Sequence, residues 1–201
     1  MDELDTLHKA RHTVLEMLED RGYTIPEEMA KVPLVEFKKL FANRQCDFTL
    51  KEPTTIHVKF LHLHKVRPNN LRDAIQHLRG EPEDDSPEDP HVDPILIVIR
   101  NKPNSTLQRI AREYRNVQLF WIQNLLVNIT HHRLNPRFDK LSETEIQEVM
   151  TQYRLTSKFQ IPMILKEDPI SRYYAYSTGT VCRITRPSIT SGEYISYRCV
   201  K

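Results

Sequence analysis

The residues best suited by type and spacing to do chemistry in this 201-residue chain lie between His62 and Lys102. Asp93 precedes an apolar run and Arg100-Asn101-Lys102 follows it, which mimics the layout of a metal-dependent nuclease: an acid, a gap, then Asp or Glu, any residue, and Lys. The position that needs the second carboxylate holds Arg100, which repels Mg²⁺, so such a metal would lack its protein ligands. His62 and His64 share one side of a predicted strand, and His131 and His132 are adjacent, but no cysteine cluster supplies the other ligands of a zinc site. Cys46, Cys182 and Cys199 form no CxxC pair and read as buried free thiols, the last two on neighbouring predicted strands. The four glycines are too far apart for a phosphate-binding loop. No serine sits in a nucleophile elbow, and no thiol has a histidine at motif spacing. The pattern predicts no catalytic residue, no metal and no cofactor.

The same stretch suits a different chemistry. Arg100 to Ser105 joins a predicted buried strand to a helix start, with Asn104 or Ser105 as the N-cap. Free backbone N–H groups and the positive end of the helix dipole then lie beside Arg100 and Lys102, a combination that suits a DNA phosphate. An ordinary solvated turn fits these residues equally well.

The elements that must position this loop are legible from periodicity. Leu4, Leu7, Arg11, Val14, Leu15 and Leu18 recur at helical spacing and stop at Arg21-Gly22, where glycine can adopt the left-handed conformation. A second helix after Pro33 puts Leu34, Phe37, Leu40 and Phe41 on one face. Cys46–Lys51 and Thr55–Leu63 alternate as a pair of strands, and Leu71–Leu78 reads as a short helix. Ile95–Ile99, a helix over about 105–114, and Val117–Trp121 form a strand-helix-strand unit, so the first part is α/β. Between them, residues 80–94 carry prolines and acids and too little apolar surface to offset ordering entropy, which predicts a mobile loop.

From about residue 124 the texture changes. Ser142-Glu-Thr-Glu145 is a capping box opening a helix with Ile146, Val149, Met150 and Tyr153 inward. Asp168-Pro169 caps a short helix with Ile170, Tyr173 and Tyr174. Val181–Arg186 and Tyr194–Val200 form a closing hairpin with Gly179 and Gly192 at its turns. Its tyrosines read as packing, with base stacking as the alternative. This second part is expected to be a small α+β domain, giving boundaries of 1–123 and 124–201.

Charge sets limits on partners. Residues 124–201 hold 11 Lys plus Arg against 7 Asp plus Glu, and residues 1–123 hold 18 against 20, with seven of those acids between Glu81 and Asp93. Both parts tolerate a polyanion nearby, but neither is basic enough to bind DNA tightly alone. The N-terminus is charged from Asp2, no signal peptide is expected, and no apolar run is long enough to span a membrane.

Several segments together resemble one family. They are Asp20-Arg-Gly-Tyr23, Val127-Asn-Ile-Thr-His-His132, Asp168-Pro-Ile-Ser-Arg-Tyr-Tyr174, Ile184-Thr-Arg-Pro-Ser188, and Thr190-Ser-Gly-Glu-Tyr194 with Tyr197-Arg198. The chain is similar over essentially its whole length to the shared fifth subunit of eukaryotic nuclear DNA-directed RNA polymerases, whose archaeal counterpart has only the C-terminal part. The resemblance implies a eukaryotic-type, two-domain, non-catalytic subunit. It implies a nuclease-like but inactive N-terminal α/β jaw domain near downstream double-stranded DNA. It also implies a C-terminal assembly domain docked on the largest polymerase subunit, with other subunits as further partners. On this reading Arg100, Lys102, Asn104 and Ser105 are DNA-proximal, and Arg172, Arg183, Arg186, Tyr194 and Arg198 belong to the subunit interface. The turn that usually reads Gly-Leu-Lys-Arg-Gly is here Ala175-Tyr-Ser-Thr-Gly179, losing two positive charges. That departure suggests a divergent eukaryote or a large DNA virus, hence the nucleus, or a virion and infected-cell cytoplasm, as location. A restriction-like nuclease and a free-standing DNA-binding protein are the alternative readings.

Overall fold

The computed structural model describes residues 3–30, 32–42, 46–61, 63, 65–79 and 93–201. His62, His64, all of the expected acidic loop except Asp93 and Pro94, and the side chain of Phe41 lie outside the described residues. The chain divides into two compact units, Met1–Val127 and Asn128–Lys201. The expected seam after residue 123 lies short of this division. The 3₁₀ turn Ile122–Leu125 buries Ile122 and Leu125 and packs against the first helix, which keeps it in the first unit.

In the first unit α1 (Glu3–Asp20) buries Leu7, Ala10, Val14, Leu15 and Leu18 along one stripe. It ends as the sequence predicts. Gly22 takes φ +89°, its N–H donates to Glu19 O, and the Tyr23 N–H reaches back to Leu18 O. These two bonds satisfy carbonyls that a helix end otherwise leaves open. A single turn, α2 (Glu27–Ala30), precedes α3 (Leu34–Ala42), where Phe37 is buried but Leu34 and Val35 stay exposed.

The sheet runs β1-β2-β3-β4, with β1 (Phe48–Leu50) antiparallel to β2 (Ile56–Leu61). β3 (Ile95–Ile99) is parallel to β2, and β4 (Val117–Trp121) is parallel to β3. Two crossovers are therefore present: α4 (Pro68–Arg79) joins β2 to β3, and α5 (Ser105–Glu113) joins β3 to β4. The sequence predicts only the second. The parallel β2–β3 pair brings together residues flanking the acidic stretch, and no local signal encodes such a pairing. Central strand β3 is buried at all five positions, as a parallel strand covered on both faces must be. Ile95, Ile97 and Ile99 pack with Leu71, Ile75, Leu107, Ile110 and Leu119 beneath α4 and α5.

The second unit is built on a sheet of order β5-β7-β8-β6. The hairpin β7 (Val181–Ser188) and β8 (Gly192–Val200) is longer than expected and forms its centre. The edge strands β5 (Arg137–Lys140) and β6 (Met163–Ile164) are absent from the sequence reading. One is four residues with a single apolar side chain and the other only two residues long, too short to show a period. The capping box opens α6 (Glu143–Gln152), with Ile146 and Val149 buried. Tyr153 is corrected: it caps the helix C-terminus, exposed, and meets Tyr197 edge-on at 6.0 Å. α7 (Pro169–Tyr173) starts from the predicted Asp168 cap, whose carboxylate accepts the Ile170 N–H at 2.9 Å.

Candidate interaction surfaces

Arg100 lies just beyond β3, where the chain leaves the sheet. Its guanidinium is engaged with Glu3 of α1 at 2.7 Å, and its carbonyl accepts the Trp121 indole N–H at 3.0 Å. Both side chains of the ion pair are over a third exposed, so the pair contributes only about 0–1 kcal/mol and is exchangeable. Asn104 is the N-cap of α5, accepting the Leu107 N–H at 2.9 Å, and Ser105 is the first helical residue. Lys102 is exposed beside them. The structure thus brings Lys102, Asn104 and Ser105 to one helix start, while Arg100 points its charge to α1.

The nuclease layout is not assembled. Asp93 lies before the N-terminal end of β3 and faces His57 at 3.8 Å. Arg100 and Lys102 lie beyond its C-terminal end, and a five-residue strand spans roughly 16 Å. Among the described residues no three His, Cys, Asp or Glu side chains are grouped to hold a metal ion. A cleft of about 230 Å³ opens at the C-terminal edge of β2 and β3, lined by Glu3, Leu7, Phe60, Val98, Arg100 and Ile122.

In the second unit, alternation along the hairpin sorts the five predicted interface residues. Register pairs Arg183 with Tyr197, Arg186 with Tyr194, and Cys182 with Arg198. Facing pairs share a side and the side alternates with each residue, so Arg186, Tyr194 and Arg198 share one face and Arg183 the other. Arg183 belongs to the α6 side. It lies 3.9 Å from both Asp139 and Glu145, and Tyr197 packs there with Ile146 and Val149. The Ser142 backbone N–H and hydroxyl, with Arg183 adding to them, hold the Glu145 carboxyl below its usual pKa.

The opposite face covers Tyr176, Cys182, Ile184 and Val200, flanked by Phe138 and Tyr174. Arg186 and Tyr194 are exposed, and Arg198 is half-buried. Arg172 stands on α7, where burial lowers its pKa and Glu167 partly opposes the shift. Cys182 and Cys199 are buried free thiols on opposite faces, and burial pushes Cys182 up to about 11. The sequence reading missed the apolar residues at the free end of the hairpin. Ile189 is fully exposed, and Ile195 stands exposed beside Tyr194, a surface that marks an interaction site more often than a monomer's exterior. Burial is a tertiary property, so alternation alone could not separate them from core.

Known proteins match both units. The profile described as RNA polymerase Rpb5, N-terminal domain covers residues 1–78, and that described as RNA polymerase Rpb5, C-terminal domain covers residues 127–200. The chain is 31% identical to the DNA-directed RNA polymerases I, II, and III subunit RPABC1 of Caenorhabditis briggsae, over 99% of this chain and 98% of the relative. It is equally identical to the corresponding subunit of Dictyostelium discoideum, with both chains covered in full. It is 27% identical to the DNA-directed RNA polymerases IV and V subunit 5B of Arabidopsis thaliana, over 98% and 91% of the two chains. With both domains matched and relatives aligned end to end, the chain belongs to the RNA polymerase Rpb5 family.

Proposed function

We propose that this chain is a non-catalytic structural subunit of a multisubunit DNA-directed RNA polymerase. The observation that carries this is the end-to-end match, through both units, to polymerase subunits. The second unit is read as the assembly domain, docking on the largest subunit through the hairpin face of Arg186, Tyr194 and Arg198. Support comes from the exposed Arg186 and Tyr194 on that face and from the fully exposed Ile189 at the free end of the hairpin. Arg183 serves a different purpose on this reading: its ion pairs with Asp139 and Glu145 brace the domain internally.

The first unit is read as the lower jaw beside downstream duplex DNA. Lys102 and the Asn104-capped start of α5 would face phosphate, with Arg100 able to leave Glu3 for a stronger anion. A jaw without catalysis is the reading: Arg100 takes the second carboxylate's place in the sequence pattern, and Asp93 stands at the other end of β3. The nucleus is the expected compartment, and a viral particle the alternative.

Co-expression with the largest subunit tests the docking face. Arg186→Glu and Arg198→Glu should each weaken co-purification several-fold, since a misplaced charge at a protein interface is costly. Arg183→Gln should leave it near the parental level. Unchanged recovery of both charge-reversed chains would remove that face from the interface.

A further inference from the structure

We infer that the outer face of α4 and α5 is a phosphate-contacting surface for double-stranded nucleic acid, separate from the loop at Lys102. Six arginines (Arg67, Arg72, Arg79, Arg109, Arg112 and Arg115) lie on or immediately beside these two helices, and all six are exposed. Two acids, Asp73 and Glu113, lie on the same helices, and in the sequence Glu81 opens the acidic stretch two residues after Arg79. The inner faces are apolar and packed on the sheet through Leu71, Ile75, Leu107 and Ile110, so the arginines project from a rigid support.

Contacts between the helices draw the charges into one surface. Glu113 lies 3.9 Å from Arg72 of α4 and 3.7 Å from Arg109 of α5. Arg79 donates to the Arg115 carbonyl and lies over the Tyr114 ring, 5.2 Å from its centroid. One carboxylate thus sits between two guanidinium groups, leaving the local balance positive.

The chemistry favours the backbone of a duplex over other polyanions. Arg67, Arg72 and Arg79 are spread along α4, about 18 Å at 1.5 Å per residue, a row of charge longer than a small anion. That length spans about five phosphates of one strand. The Tyr114 ring is covered by Arg79, so it offers no stacking platform for unpaired bases. The inference rests on the proposed reading only in taking DNA as the natural polyanion; its test does not require the polymerase.

Fluorescence anisotropy of the full chain with a labelled DNA duplex, titrated at several salt concentrations, tests it. The parental chain should bind weakly and with a steep salt dependence. Arg72→Gln combined with Arg109→Gln should weaken binding about tenfold at low salt and lower the slope of log affinity against log salt by about 2. Glu113→Gln should tighten binding about twofold, whereas Glu148→Gln, the same charge change on exposed α6, should not. Circular dichroism checks that each variant is folded, and Glu113→Gln against Glu148→Gln decides the matter if the double variant is not. The inference is overturned by absent duplex binding, by an unchanged salt slope, by equal effects of the two glutamate variants, or by equal affinity for poly-glutamate and duplex. Any of these outcomes would leave the subunit assignment standing.

Discussion

Ala175 occupies the left-handed region at φ +53°, in the turn between α7 and the hairpin. A side chain there costs about 1–2 kcal/mol against glycine's freedom, offset in part by the extra unfolded-state entropy that glycine brings. Ala175→Gly should therefore raise the stability of the second unit by about 1 kcal/mol, read as a higher denaturant midpoint at unchanged slope. A lowered midpoint would mean that the Ala175 methyl makes packing contacts that outweigh the strain. Gly179, four residues on, is the opposite case. At φ +86° it is already suited to its position, and a Cβ there would come within 3.2 Å of the Lys158 ammonium.

At the scale of elements, the clearest sequence signals are those whose physics is local. Ser142 with Glu145 caps α6 and Asp168 with Pro169 opens α7, as side-chain type and spacing predict, and of the two candidates Asn104 and Ser105 it is Asn104 that caps α5. Asn104→Ala removes the acceptor of the Leu107 N–H and should cost about 1 kcal/mol, seen as a lower thermal midpoint for the first unit. A variant with unchanged stability would show that solvent satisfies that N–H equally well. What depended on distant pairing was not legible. The parallel register of β2 on β3 and the two short edge strands flanking the hairpin arise from tertiary contacts, not from periodicity. The site divides the same way. A cap at Asn104 or Ser105 is legible from neighbouring residues alone, with the structure choosing Asn104, whereas the pairing of Arg100 with Glu3, 97 residues apart, is not.

The whole molecule joins two units with different chemistry. The first carries a mixed sheet with a capped, cationic helix start and an arginine-rich helical face. The second carries a hairpin whose one side is braced by ion pairs and whose other side presents Arg186, Tyr194 and Arg198 around a small aromatic core. Resemblance along the entire sequence was visible in short segments such as Asp168–Tyr174, because such capped turns and glycine-limited hairpins tolerate few residue types. Which of the five named interface residues share a face was not visible, since that requires the strand register. On this reading the chain works as a fixed part of a transcription machine. Affinity purification of the tagged full chain from its native cells, followed by identification of the associated proteins, is the decisive measurement. A polymerase subunit should be recovered in equimolar ratio with the largest polymerase subunits, retained through moderate salt; recovery of the chain only as a free monomer would rule that role out.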